Sequence, residues 1–252
     1  MAPLPTRYGR IDTLRAVAML WMTVFHFCFD LDHFGLIEQN FHRDPFWTVQ
    51  RTAIVSLFLF TAGLSQAVAV HQGQGWPRFW RRWAQVAGAA LLVSAGSWWM
   101  FPQTFIYFGV LHGMAVMLIV ARLTARWGPW LWWLGAGAMA LKWLAPLVME
   151  AWPALAFLNQ PGFNALGFIS QLPATEDYVP LLPWLGVVWW GMATGQWIQN
   201  NRPAWLVGTP AAPATGLRLG LAVLGRWSLS YYLLHQPVLI GLVSAAMWWR
   251  GG

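Results

Sequence analysis

Seven apolar stretches, each close to the roughly 20 residues a helix needs to cross a hydrocarbon core, dominate this 252-residue chain. They lie at about 12–30, 52–71, 83–100, 104–121, 129–149, 180–198 and 225–248. Charged residues are 9% of the chain and hydrophobic ones 58%. A soluble domain carries about a quarter charged residues, and one core of this size cannot absorb so much apolar surface. The sequence therefore predicts an all-α, polytopic integral membrane bundle of about seven transmembrane helices, forming a single domain over residues 1–252. Between the runs, 151–179 reads as a long polar loop with a short interfacial helix, and 200–218 as a second, proline-rich loop.

The basic residues fix an expected orientation. With the N-terminus inside, cytoplasmic segments hold Arg7, Arg10, Arg78, Arg81, Arg82, Arg122, Arg126, Arg202 and Arg218, whereas external ones hold Arg43, Arg51 and Arg250. Nine against three is a strong positive-inside bias. It puts the N-terminus in the cytoplasm and the C-terminus outside. Arg15, Lys142 and Arg226 lie within or at the edge of spans, and every acid except Asp12 falls at the external side. The net charge of +7 marks span ends and forms no continuous face, so nucleic acid is not an expected partner. The tryptophans cluster at the same ends, as at Trp76/Trp80/Trp83 and Trp98/Trp99. The only Ala-x-Ala tripeptide, Ala16-Val17-Ala18, opens the first run, so that run reads as a retained helix. Cys28 is the lone cysteine and excludes an internal disulfide.

Ionisable groups inside spans are costly and mark candidate sites. The first span holds Asp12, Arg15, His26 and Asp30 on one helical stripe. Asp12 and Arg15 read equally as an i,i+3 ion pair or as substrate-binding groups. For His26 and Asp30, four residues apart, the expectation is a carboxylate that orients an imidazole as general base. His112 and His235 lie in two further spans. At about 1.5 Å per residue, His26 is about 21 Å, His112 about 18 Å and His235 about 15 Å from the inner edge, which predicts one histidine layer. His235 is followed by Gln236 and Pro237 and preceded by Tyr231 and Tyr232, a polar set at an expected proline kink. Asp177, Tyr178 and Arg51 add candidate binding groups on the outer side. On the inner side Arg78, Arg81, Arg82 and Arg226 are candidate phosphate ligands.

Several blocks carry a family likeness. Arg10-Ile11-Asp12-x-Leu14-Arg15 with a histidine 11 residues on resembles the first helix of the bacterial heparan-α-glucosaminide N-acetyltransferase catalytic-domain family, within the transmembrane acyltransferase superfamily. The likeness continues through Phe58-Leu59-Phe60-x-x-Gly63, Phe108-Gly109-x-Leu111-His112 and Asp177-Tyr178-x-Pro180-Leu181-Leu182-Pro183-Trp184. It ends with Gly225-Arg226-x-Ser228-Leu229 and Tyr232-Leu233-Leu234-His235-Gln236-Pro237. The resemblance implies acetyl transfer from cytosolic acetyl-CoA, with no metal, to an amino sugar, glycan or other amine or hydroxyl on the far side. A histidine near the outer side then serves as base or acetyl carrier. In the lysosomal member that histidine precedes the second span, and His42 is the positional match. His26 stands where that enzyme has asparagine, and Ala16 departs from the family's usual glycine.

Three readings follow from the sequence. The first is a membrane acyltransferase whose base is His26 or else His42, with His112 and His235 completing the cavity. The others are a haem- or metal-binding electron carrier using the intramembrane histidines, and a small-solute transporter with the histidine layer as its site. The partners expected are the lipid bilayer, an acyl-CoA donor, a glycan or amino-sugar acceptor and, as a homodimer, a second copy of the chain.

Overall fold

A computed structural model describes residues 8–207 and 216–249, without the side chains of Val207 and Arg218. Arg7 and Arg250, which entered the charge count, lie outside the described residues, as does the side chain of Arg218. The described chain is helical. Its only bridge between extended residues joins Phe108 to Tyr178.

A helix stands at each of the seven apolar runs. These are α1 (Gly9–His33), α2 (Pro45–His71), α3 (Trp76–Met100), α4 (Val110–Leu123), α5 (Trp130–Ala151), α6 (Leu181–Asn201) and, after two short helices α7 (Pro203–Val207) and α8 (Leu217–Arg226), α9 (Ser228–Trp249). Four of them, α1, α2, α5 and α9, are long and apolar enough to cross a membrane. The polar loop before α6 forms two 3-10 turns, Pro153–Asn159 and Asn164–Leu166.

The boundaries differ from the apolar runs for local reasons. The fourth run starts at 104, but the helix starts at Val110, because 104–109 pairs with 175–179. Glu176 N donates to Thr104 O at 2.8 Å and Val179 N to Phe108 O at 3.1 Å. The last run is split at Trp227, which separates α8 from α9. The stretch read as a loop at 200–218 contains α7 and the start of α8. Helix α9 continues through Pro237.

The chain divides into two units, and the division falls inside α2 between Phe58 and Leu59. One unit holds Thr6–Phe58 and Ala204–Gly252. In it α1 packs on α8 and α9. The contact with α8 is a backbone approach: a Cβ on Gly225 would collide with the Asp12 carbonyl. Beneath the C-terminal half of α1, Met19, Met22, Phe25, Phe41, Trp47, Ile54 and Phe58 form a buried apolar cluster.

The other unit holds Leu59–Pro203. Here α3 packs on α4, α4 on α6, and α5 on α6. Small residues set these distances, as they do where helices associate in lipid. Gly63 of α2 meets the Val188 carbonyl of α6, and Gly191 meets the Phe60 carbonyl. Gly135 of α5 and Gly186 of α6 approach each other in the same way.

Candidate functional site

The densest polar group lies between α1 and α9. Thr23, His26 and Asp30 fall on one face of α1 by their i, i+3, i+7 spacing. Tyr231, Tyr232, His235 and Gln236 lie within about one and a half turns of α9. The two histidine rings meet with centroids 5.2 Å apart and planes at 62°. The Tyr231 ring lies parallel to His235, with centroids 6.0 Å apart, and Tyr232 is 5.7 Å from it.

Two side-chain hydrogen bonds tie the helices together. Gln236 Nε2 donates to Asp30 Oδ1 at 2.7 Å. Thr23 Oγ1 and Tyr231 Oη are 2.6 Å apart. The threonine spends its single proton on the Met19 carbonyl at 2.9 Å, so the tyrosine is the donor. The i,i+4 pairing of His26 with Asp30 expected from spacing does not form, because the carboxylate turns to α9 and takes Gln236. Among the described residues the His26 ring has no hydrogen bond; it touches Phe25 and His235.

His235 is only 8% exposed. Its Nδ1 lies 2.7 Å from the Tyr232 carbonyl oxygen. A carbonyl can only accept, so Nδ1 carries the proton and Nε2 keeps the lone pair. That Nε2 is buried and has no hydrogen-bond partner, as are Asp30 Oδ2 and Gln236 Oε1. Buried polar atoms are normally paired. Three acceptor atoms at one helix crossing therefore suit a group that brings N–H or O–H donors, or a proton.

The other candidates on this unit play different parts. Arg15 Nη1 bonds Asp12 Oδ1 at 2.9 Å and the Gly225 carbonyl at 3.1 Å. That is the ion-pair alternative read from the sequence, and it also locks α1 to the end of α8. His42 is exposed in the α1–α2 loop, with its ring 6.4 Å from Phe29. Arg51 and Arg226 are exposed.

The structure brings His26 and His235 together within one unit; His112 belongs to the other unit. It is the third residue of α4 and caps it: Gly109 N donates to Nδ1 at 3.3 Å. With Nδ1 accepting, Nε2–H donates to Ser94 Oγ at 3.0 Å, and Ser94 passes its proton to the Ile106 carbonyl at 2.6 Å. Both ring nitrogens are thus committed to holding a turn. Asp177 Oδ2 takes the Val110 N–H at 2.7 Å, at the positive end of α4. Tyr178 Oη donates to the Asn164 carbonyl at 2.6 Å. Burial, and then the neighbouring Tyr107, push the Tyr178 phenol above its ordinary range.

Arg78, Arg81 and Arg82 are exposed on the first turns of α3. Arg82 bonds Gln85 at 3.0 Å. Among the described residues no group of three histidine, cysteine, aspartate or glutamate side chains is placed to hold a metal.

Sequence reading missed Thr23, Ser94 and Asn164. The signal for Thr23 was present, since it lies three residues before His26 on the same stripe. Asn164 had none: it is fully buried within a loop and donates to Tyr107 Oη at 2.7 Å.

No curated protein and no solved structure matches the chain. The family model described as heparan-alpha-glucosaminide N-acetyltransferase, catalytic, matches residues 7–237. That span takes in both sides of the α1–α9 crossing and the Asp177 clasp, and the chain accordingly belongs to the heparan-alpha-glucosaminide N-acetyltransferase catalytic family of membrane acetyltransferases.

Proposed function

We propose that the protein moves an acetyl group from cytosolic acetyl-CoA to an amino-sugar or glycan acceptor on the outer side of a bacterial inner membrane. In this reading the chain has seven spans, with its N-terminus in the cytoplasm and its C-terminus outside. The single observation that carries it is His235: a buried imidazole whose Nδ1 proton is fixed on a backbone carbonyl and whose Nε2 lone pair is unpartnered.

Acetyl-CoA supplies a thioester: the acceptor nitrogen or oxygen bonds the acetyl carbon, the C–S bond breaks, and coenzyme A leaves as the thiol. His235 Nε2 takes the acceptor's proton as that bond forms and returns it to the departing sulfur. The Tyr232 carbonyl stabilises the charge on the imidazolium through Nδ1–H. His26, with its ring against His235, is the second base of the site. Asp30 Oδ2 and Gln236 Oε1 accept hydrogen bonds from the acceptor and orient it. His42, exposed near Phe29, is the third histidine to test. Arg78 and Arg81 have no hydrogen-bonding or ionic partner among the described residues, so their guanidinium groups are free to hold the donor's phosphates, with Arg82 on the same helix as a further cation.

The test is release of coenzyme A thiol by purified protein in nanodiscs, with glucosamine as acceptor. His235→Ala is expected to lower kcat by about 10²–10⁴-fold, the range for losing a general base, while acetyl-CoA still binds. His26→Ala and His42→Ala separate the remaining histidines. Full activity in all three variants, or no acetyl-CoA binding by the wild type, overturns the reading.

A further inference from the structure

The turn between α4 and α5 is clamped from α6. Trp189 Nε1 donates to Thr124 Oγ1 at 3.0 Å, and Gln196 Nε2 donates to the Ala125 carbonyl at 2.7 Å. Gly128, at φ +54°, then directs the chain into α5. On this held turn Arg126 and Trp127, with Trp130 and Leu134 of α5, line a shallow groove of about 350 Å³. Its lining is apolar apart from Arg126, and its tryptophans are open to the surroundings, Trp127 at 51% and Trp130 at 69%.

The two arginines near this turn differ. Arg122 is committed: it bonds the Gln74 carbonyl and lies over the Trp76 and Phe79 rings. Arg126 is exposed and has no hydrogen bond, ion pair or ring contact among the described residues. Helix α5 is long and apolar enough to cross a membrane, so the apolar stripe runs into hydrocarbon from an end that carries a free cation. Tryptophan settles at that boundary, and basic pockets between helices there take lipid headgroups.

We propose that this groove binds one anionic phospholipid, its phosphate on Arg126 and an acyl chain along Trp127, Trp130 and Leu134. A zwitterionic lipid offers the same phosphate but neutralises it with its own ammonium, so the site selects for net negative charge. The proposal depends on α5 lying in a bilayer and not on acetyl transfer. A neighbouring apolar groove of Trp132, Trp133, Ala136 and Trp190 has no charged side chain and serves as an internal control.

Native mass spectrometry of the intact protein, exchanged between phosphatidylglycerol and phosphatidylcholine, tests it. The most tightly held lipid is expected to be phosphatidylglycerol, retained roughly fivefold over phosphatidylcholine, the preference one interfacial basic residue provides. Arg126→Gln removes the preference, Arg126→Lys keeps it, and Trp133→Ala leaves it unchanged. Equal retention of the two lipids overturns the proposal, as does a preference that survives Arg126→Gln. So does displacement of the lipid by inorganic phosphate at equal concentration, or a groove found covered by a second copy of the chain.

Discussion

At the scale of single residues, hydrogen-bond direction separates histidines that look alike in sequence. His112 and His235 both fall in apolar runs beside polar neighbours. One uses Nδ1 as an acceptor and Nε2 as a donor, and is spent on capping α4. The other gives its Nδ1 proton to a carbonyl and keeps Nε2 free. Tyr178 offers a residue-scale prediction outside the spans. Its raised phenol stays protonated and donates to Asn164 O, so Tyr178→Phe costs about 0.5–1.5 kcal/mol at neutral pH. A group whose folded value is raised gives stability that is complete below its unfolded value, near 10 for tyrosine, and is lost as pH rises through the folded one. Thermal unfolding of the two proteins from pH 7 to 11 is expected to show the wild-type advantage shrinking above about pH 10.

At the scale of elements, residues of the blocks that carry the family likeness meet partners on other elements. Asp12 and Arg15 of α1 meet Gly225 at the end of α8. Gly63 of α2 meets Val188 of α6, and Gly109 before α4 meets Asp177 before α6. His26 and Asp30 meet His235 and Gln236. Two of these meetings, at Gly225 and at Gly63, are backbone approaches that any side chain on the glycine would block. Gly225→Ala is therefore expected to destabilise by about 1–3 kcal/mol, the cost of overpacking a tight contact, with the loss seen as a lower unfolding midpoint in detergent. Gly220→Ala, on the same helix but where an added Cβ meets nothing within 4 Å, is the comparison, expected to be neutral or to stabilise by up to about 1 kcal/mol through helix propensity. Helix α4 shows the opposite limit. Its 14 residues span about 21 Å, short of a core of about 30 Å, and the 104–109 segment before it is extended because it pairs with the chain entering α6.

At the scale of the whole molecule, the proposed seven-span topology makes its own prediction. A reporter active only outside the cytoplasm, fused after residue 103 or residue 172, is expected to be active; fused after residue 74 or residue 128, inactive. The reverse pattern overturns the orientation. Helix α4 is the critical case, since only a crossing there gives opposite signals after residues 103 and 128.

Much of the molecule was legible from the chain alone. Composition and run length determined that it is helical and lives in lipid, because a bilayer leaves apolar runs no other partner and no other way to satisfy their backbone. Spacing determined that His26 and Asp30 share a face of α1, since helix periodicity is local. It could not determine where Asp30 turns, because its choice between His26 one turn away and Gln236 two hundred residues on depends on which helix packs beside α1. The tertiary structure decided that, because hydrogen bonds in a buried site go to whichever partner the packing brings within 3 Å.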